Sequence, residues 1–470
     1  MKVQTASDNI IVKEISGERF TPFSLSNKLK ARALLESASF EQGRGRYSII
    51  LLREAFSVFQ REEEMFIGRD GDESRIESNG RDILDILLFF AGEHREHAVP
   101  FPLPAGGIGY LSYDYALRFD DIKARKVDDS IGIPDALFLF GHVFLVFDHY
   151  TDTIRIVGIN YQDHRIDLGR AIRETEEKIN DLDFNYLTPA EREYTSVILK
   201  RDKERDEFIE GVKRMRREII KGNLLQGVLS RRIYVRSEIP ALEAYRRLRS
   251  LNPSPYMFYI DTGGFQLFGS SPEIHVKVEG RKVKIRPLAG TRKRGKDREE
   301  DLVLERELLS DEKEKAEHLM LVDLARNDLG RICRTKSVRV TVDMEVERYS
   351  HVMHMVSQVE GELAETKTGI DAIRATFPAG TVTGAPKIRA MEIISELERE
   401  KRGFYSGLVG YIEPDGSLDT CITIRSALKK DDVVVLQAGA GIVYDSVPEK
   451  EYEETSSKLK PMGNILGVEV

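Results

Sequence analysis

The chain has 470 residues, of which 41% are hydrophobic and 32% charged, and a formal net charge of -8. These values suit a soluble globular fold with a large core, and the acidic balance argues against nucleic acid as the main partner. Two cysteines, Cys333 and Cys421, are too few for a disulfide framework or a structural zinc site and read as reduced thiols.

The N-terminus has no basic region leading into an apolar run, so no secretory signal is expected. The first ~190 residues mix short strands with a few helices. YSIILL (47–52), AFSVFQ (55–60), VFLVFD (143–148) and TIRIVGI (153–159) read as strands. RDILDILLFFAGEH (81–94) and DLGRAIRETEEKIND (167–181) read as helices. The apolar run ALFLFGHVFLVF (136–147) is too short to cross a membrane as a helix and reads as buried strand. A cytoplasmic protein with no membrane partner is therefore expected. The polar stretch LTPAEREYTSVILK (187–200) is the best boundary, dividing an N-terminal region (1–190) from a larger domain (191–470).

Beyond it, Phe208, Val212, Met215 and Ile219 recur at helical spacing in 203–221, and Gly222 follows as a stop. LQGVLSRRIYV (225–235) reads as a strand. IHVKVEGRKVKIRPL (274–288) reads as two strands around a Glu-Gly turn. A helical region at 299–326 is interrupted near Ser310 and Asp311. Pro386 opens a helix to about residue 400. Residues 405–428 form a hairpin-like stretch with Pro-Asp-Gly at the turn, and a helix near 448–460 ends the chain. Hairpin-paired strands with appended helices imply an α+β fold.

Two acidic clusters carry possible chemistry. Glu314 and Glu317 stand at i and i+3 on one helix face. Glu451 and Glu454 do the same, with Lys458 a turn later. Oxygen-only carboxylate sets suit Mg²⁺, although each cluster alone reads equally as a solvated face with Glu–Lys pairs. Glu314 also lies where Asp311 would cap a helix. Gly439 and Gly441 allow close backbone approach to a ligand, and Arg425 offers a bidentate grip on a carboxylate. GTVTGAPK (380–387) leads into a helix N-terminus, a ready anion site, but lacks the spacing of a phosphate-binding P-loop. His318, His351 and His354 carry no recognised nucleophile spacing and read as structural. The residues alone thus reach an α+β protein with a Mg²⁺ and carboxylate site in its C-terminal half.

The motifs KGNLLQGVLSRR, FGSSPE, RPLAGTRKRG, EHLMLVDLARNDLG, YSHVMH, GTVTGAPKIRAMEII and AGAGIVYDSVPEKEYEET run in one order across 200–470. In this the chain resembles the chorismate-utilising enzymes, a family that includes anthranilate, aminodeoxychorismate, isochorismate and salicylate synthases. The resemblance implies a sandwich of two antiparallel β-sheets with helices outside. It implies Mg²⁺ held by Glu317 and Glu454, supported by Glu314 and Glu451, with Lys458 nearby. Arg425, Tyr405 and the backbone at Gly439, with Gly441 in the same segment, would hold the enolpyruvyl carboxylate of chorismate. Thr381 would lie against the ring carboxylate. Glu273 would be the general acid for the departing ring hydroxyl, with a raised pKa, and His354 would assist pyruvate loss.

Two positions narrow the reading within that family. Gln226 stands where the isochorismate and salicylate synthases carry a water-activating lysine. Ala289, in PLAGT, stands where some aminodeoxychorismate synthases carry a nucleophilic lysine. Both substitutions point to direct attack by ammonia and thus to the large subunits of anthranilate synthases. LLES (34–37) and NPSPYMFY (252–259) resemble two halves of a tryptophan feedback site: Leu35, Glu36 and Ser37, with Glu36 and Ser37 receiving the amino group, and Pro255, Tyr256 and Met257 walling the indole. No glutamine amidotransferase motif is present, so glutamine use would need a separate amidotransferase subunit. Rival readings are an aminodeoxychorismate or aminodeoxyisochorismate synthase and a non-catalytic tryptophan-responsive binding protein.

Overall fold

The computed structural model describes residues 3–7, 9–39, 43–97, 99–181, 192–349 and 352–470. His351 and the start of the expected boundary segment, 187–191, lie outside them. The rest of that segment leads into the strand Ser196–Arg201, which pairs antiparallel with Gln226–Ser237.

The long apolar run forms the strand Ala136–Asp148, buried at every position. Its alternation explains why no polar face is visible in the sequence. Val143, Leu145 and Phe147 point to one core, shared with Ala171, Ile172 and Ile179 of the helix Leu168–Asn180. Phe140, Phe144 and Val146 point to the other, shared with Phe56, Ile108 and Leu408. A sheet covered on both faces requires apolar residues at both parities. All pairings between the named strands are antiparallel, and among the described residues every strand except the pair Ala38–Ser39 and Gly43–Arg44 belongs to one hydrogen-bonded network. The α+β class holds, with hydrogen bonding continuous through the sheets rather than broken between them.

Strands from the two ends of the chain lie side by side. Ala33–Glu36 pairs with Tyr256–Asp261, and Ile108–Leu111 pairs with Leu408–Ile412. Residues 47–60, expected as two strands, form one strand, Tyr47–Arg61. Its register against Ala136–Asp148 shifts where Glu54 faces Gly141. The irregularity leaves Leu52, Ala55 and His142 without partners in the ladder and does not end the pairing. The terminal helix, expected to stop near 460, runs Pro448–Leu466 through Pro461. Leu459, Met462, Ile465 and Leu466 bury against the sheet, and this packing offsets the hydrogen bond that proline removes. At the interruption near 310, Asp311 separates the helices Arg298–Ser310 and Glu312–Gly330 and accepts from the backbone N–H of Lys313 and Glu314.

Arg402 is 1% exposed and ties several of these elements together. It forks onto Glu398 through Nε (2.8 Å) and an Nη (2.7 Å), and donates to the carbonyls of Val382 and Val228, each at 2.7 Å. Glu398 also accepts from the backbone N–H (2.7 Å) and hydroxyl (2.9 Å) of Ser230. Removing one partner leaves the other as a buried unpaired charge. Arg402→Ala should therefore cost about 3–5 kcal/mol, read as a fall in the urea midpoint. The paired change Arg402→Met with Glu398→Leu should cost much less than the single change.

Candidate active site

The strand Gln226–Ser237 lies beside Val433–Ile442, with Val228 opposite Gly441 and Ser230 opposite Gly439. The two glycines clear space for specific side chains. A Cβ on Gly441 would come within 2.5 Å of Gln226 Nε2, and one on Gly439 within 2.9 Å of the Tyr405 hydroxyl. Lys458, on the terminal helix, donates to the Gly439 carbonyl at 2.8 Å and pairs with Glu454 at 2.6 Å. Gln226, Tyr405, Gly439, Gly441, Glu454 and Lys458 thus converge at one place. Gln226 Oε1 is buried there with no hydrogen-bond partner.

Glu273 follows the strand Gln266–Ser271 and is 5% exposed. Its backbone is fixed by the Ile422 N–H, which donates to the Glu273 carbonyl at 3.0 Å. Burial pushes its carboxyl up to about 8, against the opposing influence of the Thr381 hydroxyl, the Leu288 backbone and Lys458. Desolvation wins because no cation lies close enough to pair with it.

His354, on the strand Val352–Glu362, donates from Nδ1 to the Gly290 carbonyl at 3.0 Å. That bond fixes the tautomer and leaves Nε2 as the lone-pair side of the ring. Burial, with the positive fields of Arg425 and Lys458, lowers the imidazole to about 4, so the ring is neutral at pH 7. Arg425 has its backbone in the left-handed region (φ 51°), unusual for a non-glycine residue. Burial lowers its guanidinium, with Tyr405 and Glu454 acting against that. Among the described residues no carboxylate lies within ion-pair distance of it. An enclosed arginine without a counter-ion, next to a tyrosine hydroxyl, is a place for a carboxylate ligand.

The four glutamates meet from two helices. Burial raises the Glu317 carboxyl, and Glu314 and Glu454 raise it further. Burial raises Glu451 likewise, with a further contribution from Glu454. Each glutamate but Glu451 also touches a cation: Glu314 with Arg292 at 3.0 Å, Glu317 with Lys313 at 3.7 Å, and Glu454 with Lys458. Among the described residues no three acidic, histidine or cysteine side chains are gathered tightly enough to hold a metal unaided. Clustered carboxylate oxygens still suit Mg²⁺, which takes one or two protein carboxylates and completes its shell with water and substrate.

The six residues expected to bind tryptophan line a separate cavity of about 360 Å³. Leu35 and Met257 contribute from neighbouring strands, and Tyr256 donates to Asp419 at 2.8 Å. Glu36 borders the cavity, but its carboxylate accepts from the Tyr245 hydroxyl at 2.7 Å and pairs with Arg249 at 2.9 Å. Strand alternation explains this, because Leu34 and Glu36 share the face opposite to Leu35. Asp419, on the strand Leu418–Ile422, is a cavity acid that no motif in the sequence marks. Arg402 is likewise unmarked. Its one signal in the sequence is the i, i+4 spacing of Glu398 and Arg402 at the end of a helix, ordinarily the sign of a solvated pair.

Known proteins resemble this chain in sequence and fold. The model of the chorismate binding enzyme family matches residues 37–464. An anthranilate synthase component 1 from Spirochaeta aurantia is 56% identical over 462 residues, covering 98% of this chain and 96% of the relative. One from Aquifex aeolicus is 43% identical, covering 94% and 91%. The crystal structure of anthranilate synthase component I from Streptococcus pneumoniae TIGR4 superposes with a TM-score of 0.79 at 38% identity, covering 89% of this chain and 92% of that one.

A buried acid that is neutral in the folded state costs stability as pH rises. The contribution of Glu273 is fully present below the ordinary carboxyl pKa of the unfolded chain and is lost as pH climbs from there through about 8. Glu273→Gln should therefore stabilise the fold at pH 9 by a few kcal/mol, since each pH unit between the two pKa values contributes about 1.4 kcal/mol. The gain, read from the thermal midpoint, should vanish near pH 4. A variant equally stable to the native chain at both pH values would refute the burial account. The chain belongs to the chorismate-binding enzyme family.

Proposed function

We propose that the chain is the chorismate-binding component of an anthranilate synthase: it aminates chorismate with ammonia and eliminates pyruvate, in a Mg²⁺-dependent reaction inhibited by tryptophan. The relatives described above are named as component 1 of anthranilate synthase, which supports this reading. The observation that carries the chemistry is the buried Glu273 carboxyl, held protonated at neutral pH by burial, which outweighs the opposing Thr381 hydroxyl, Leu288 backbone and field of Lys458.

Chorismate is a dianion, and the site offers two kinds of complement to it. Arg425 and Tyr405 receive the enolpyruvyl carboxylate at the Gly439 backbone. Thr381 lies against the ring carboxylate. Glu317 and Glu454 would hold Mg²⁺, with Glu314 and Glu451 supporting it directly or through water. Bound there, the ion would neutralise the ring carboxylate and favour electron withdrawal from the ring.

Ammonia attacks ring carbon 2, both ring double bonds shift round the ring, the ring hydroxyl leaves with the proton of Glu273 as water, and the new ammonium gives its extra proton to the Glu273 carboxylate so formed. His354 Nε2 then accepts the proton from carbon 2 as pyruvate departs, and the ring becomes aromatic. Gln226 and Ala289 support this course. Neither can act as the base that activates water or as a nucleophile toward the ring. With no amidotransferase motif in the chain, glutamine use calls for a separate amidotransferase subunit. The cavity lined by Leu35, Pro255 and Tyr256 is the proposed tryptophan site.

Purified protein given chorismate, Mg²⁺ and an ammonium salt should develop anthranilate fluorescence that disappears with a chelator and falls with added tryptophan. Chorismate loss without fluorescence would move the assignment to an amino-deoxy product. No chorismate loss would refute the enzymatic reading. Glu273→Gln should lower turnover at least ~100-fold while keeping chorismate binding, consistent with the usual contribution of a general acid. At a constant concentration of free ammonia, the native rate should fall as pH rises past about 8, where the acid loses its proton. A rate that stays level to pH ~10, the far side of that titration, would count against Glu273 as the acid.

A further inference from the structure

The helix Pro448–Leu466 carries Glu451, Glu454 and Lys458, yet little at its own start fixes it. Its first turn follows Val447, which supplies no side-chain cap. Its later turns pack on the sheet through Leu459, Met462, Ile465 and Leu466, and the turns that carry the glutamates are gripped by an arginine from the sheet. Arg231, on the Gln226–Ser237 strand, is 0% exposed. Its Nε donates to Thr455 Oγ1 at 2.8 Å and one Nη donates to Ser456 Oγ at 2.7 Å. The guanidinium carbon lies 4.5 Å from the centre of the Tyr452 ring. The Thr455 hydroxyl in turn donates to the Tyr452 carbonyl at 2.7 Å, so its orientation is set. The other Nη is buried without a partner.

Among the described residues no carboxylate pairs with Arg231. A buried cation without a counter-ion is a poor device for stability, and an apolar side chain of similar length would fill the space at lower cost. All its side-chain hydrogen bonds and its ring contact go instead to Tyr452, Thr455 and Ser456. These residues interleave with Glu451, Glu454 and Lys458 on the next face of the same two turns. A rigid planar fork gripping two hydroxyls, with a ring beneath it, fixes both the rotation and the axial position of a helix in a way that apolar packing does not.

We propose that Arg231 is a positioning residue for the metal and carboxylate end of the site. It sets the rotation of the terminal helix so that Glu451 and Glu454 face Glu317 and Lys458 reaches Gly439. The assignment rests on the proposed role of those glutamates.

The test uses the full chain and Mn²⁺ as the probe, with binding read from the electron paramagnetic resonance signal of free Mn²⁺ in the presence of chorismate and without ammonia. Arg231→Met should keep a thermal midpoint at or above that of the native chain, bind Mn²⁺ about 10-fold more weakly, and raise KM for chorismate more than it lowers kcat. Arg231→Lys, able to reach one hydroxyl, should fall between the two. Thr455→Val, which removes the acceptor and keeps the arginine, should weaken Mn²⁺ in the same direction, so the proposal stays testable if the methionine variant misfolds. Native Mn²⁺ affinity in a folded Arg231→Met or in Thr455→Val would overturn it. Glu454→Gln separates the two readings. If it too binds Mn²⁺ like the native chain, the metal role of the glutamates fails and the proposal falls with it. If it weakens Mn²⁺ while the Arg231 and Thr455 variants do not, only the positioning role falls.

Discussion

The buried pair of Arg402 and Glu398 is the constraint on which the site's geometry depends. All five guanidinium N–H groups have acceptors: the two Glu398 oxygens, the carbonyls of Val228 and Val382, and the Ser406 hydroxyl at 3.5 Å. Those acceptors belong to separate pieces of chain. Val228 is two residues from Gln226, Val382 follows Thr381, and Ser406 follows Tyr405. A charge this deep is tolerable only when fully satisfied, so the three pieces cannot drift apart singly. The Tyr113 ring packs over the same guanidinium at 4.5 Å and brings the N-terminal part of the chain into the same knot.

Around that knot the electrostatics divide. Two carboxylate-bearing helices crowd negative charge on one side, where burial raises Glu317 and Glu451, with Glu314 and Glu454 adding to the first and Glu454 to the second. Arg425 lies on the other, with no counter-ion among the described residues. Glu273 and His354 lie between, and burial drives both to their neutral forms at pH 7. A neutral carboxyl can give a proton and a neutral imidazole can take one, so the same desolvation reverses the ordinary ionised state of the carboxyl and keeps the imidazole wholly neutral. The site therefore lacks the very charges that a divalent cation and a dianion would supply.

Much of this was legible in the sequence because it depends on local signals. Helix boundaries at Asp311 and Gly222, the buried run 136–147 and the hairpin at Pro414 to Gly416 follow from capping, alternation and turn residues. The glutamate spacings and the glycines at 439 and 441 mark a site for the same reason. What stayed hidden involves contacts distant in sequence. Arg231 lies in the motif KGNLLQGVLSRR and Arg402 at i, i+4 from Glu398, but neither signal says that the side chain is buried. Only the folded sheet reveals that each is wholly buried. The side on which Glu36 points follows from strand parity, but its partner Arg249 lies far along the chain, on the helix Ala241–Leu251.

The two buried arginines also differ in a way that bears on how such a site tolerates change. Arg402 has a counter-ion and every donor satisfied, so its loss strikes the fold. Arg231 has no counter-ion and one orphaned nitrogen, so the fold gains little from its charge, and its fork and ring contact act on one helix alone. Burial by itself does not separate these cases, since both side chains are almost wholly enclosed. The separation comes from where the hydrogen bonds end: on three chain segments for Arg402, and on two turns of the glutamate-bearing helix for Arg231. A buried charge paired within its own network secures the architecture, whereas one directed at a single helix aligns that helix with the chemistry beside it.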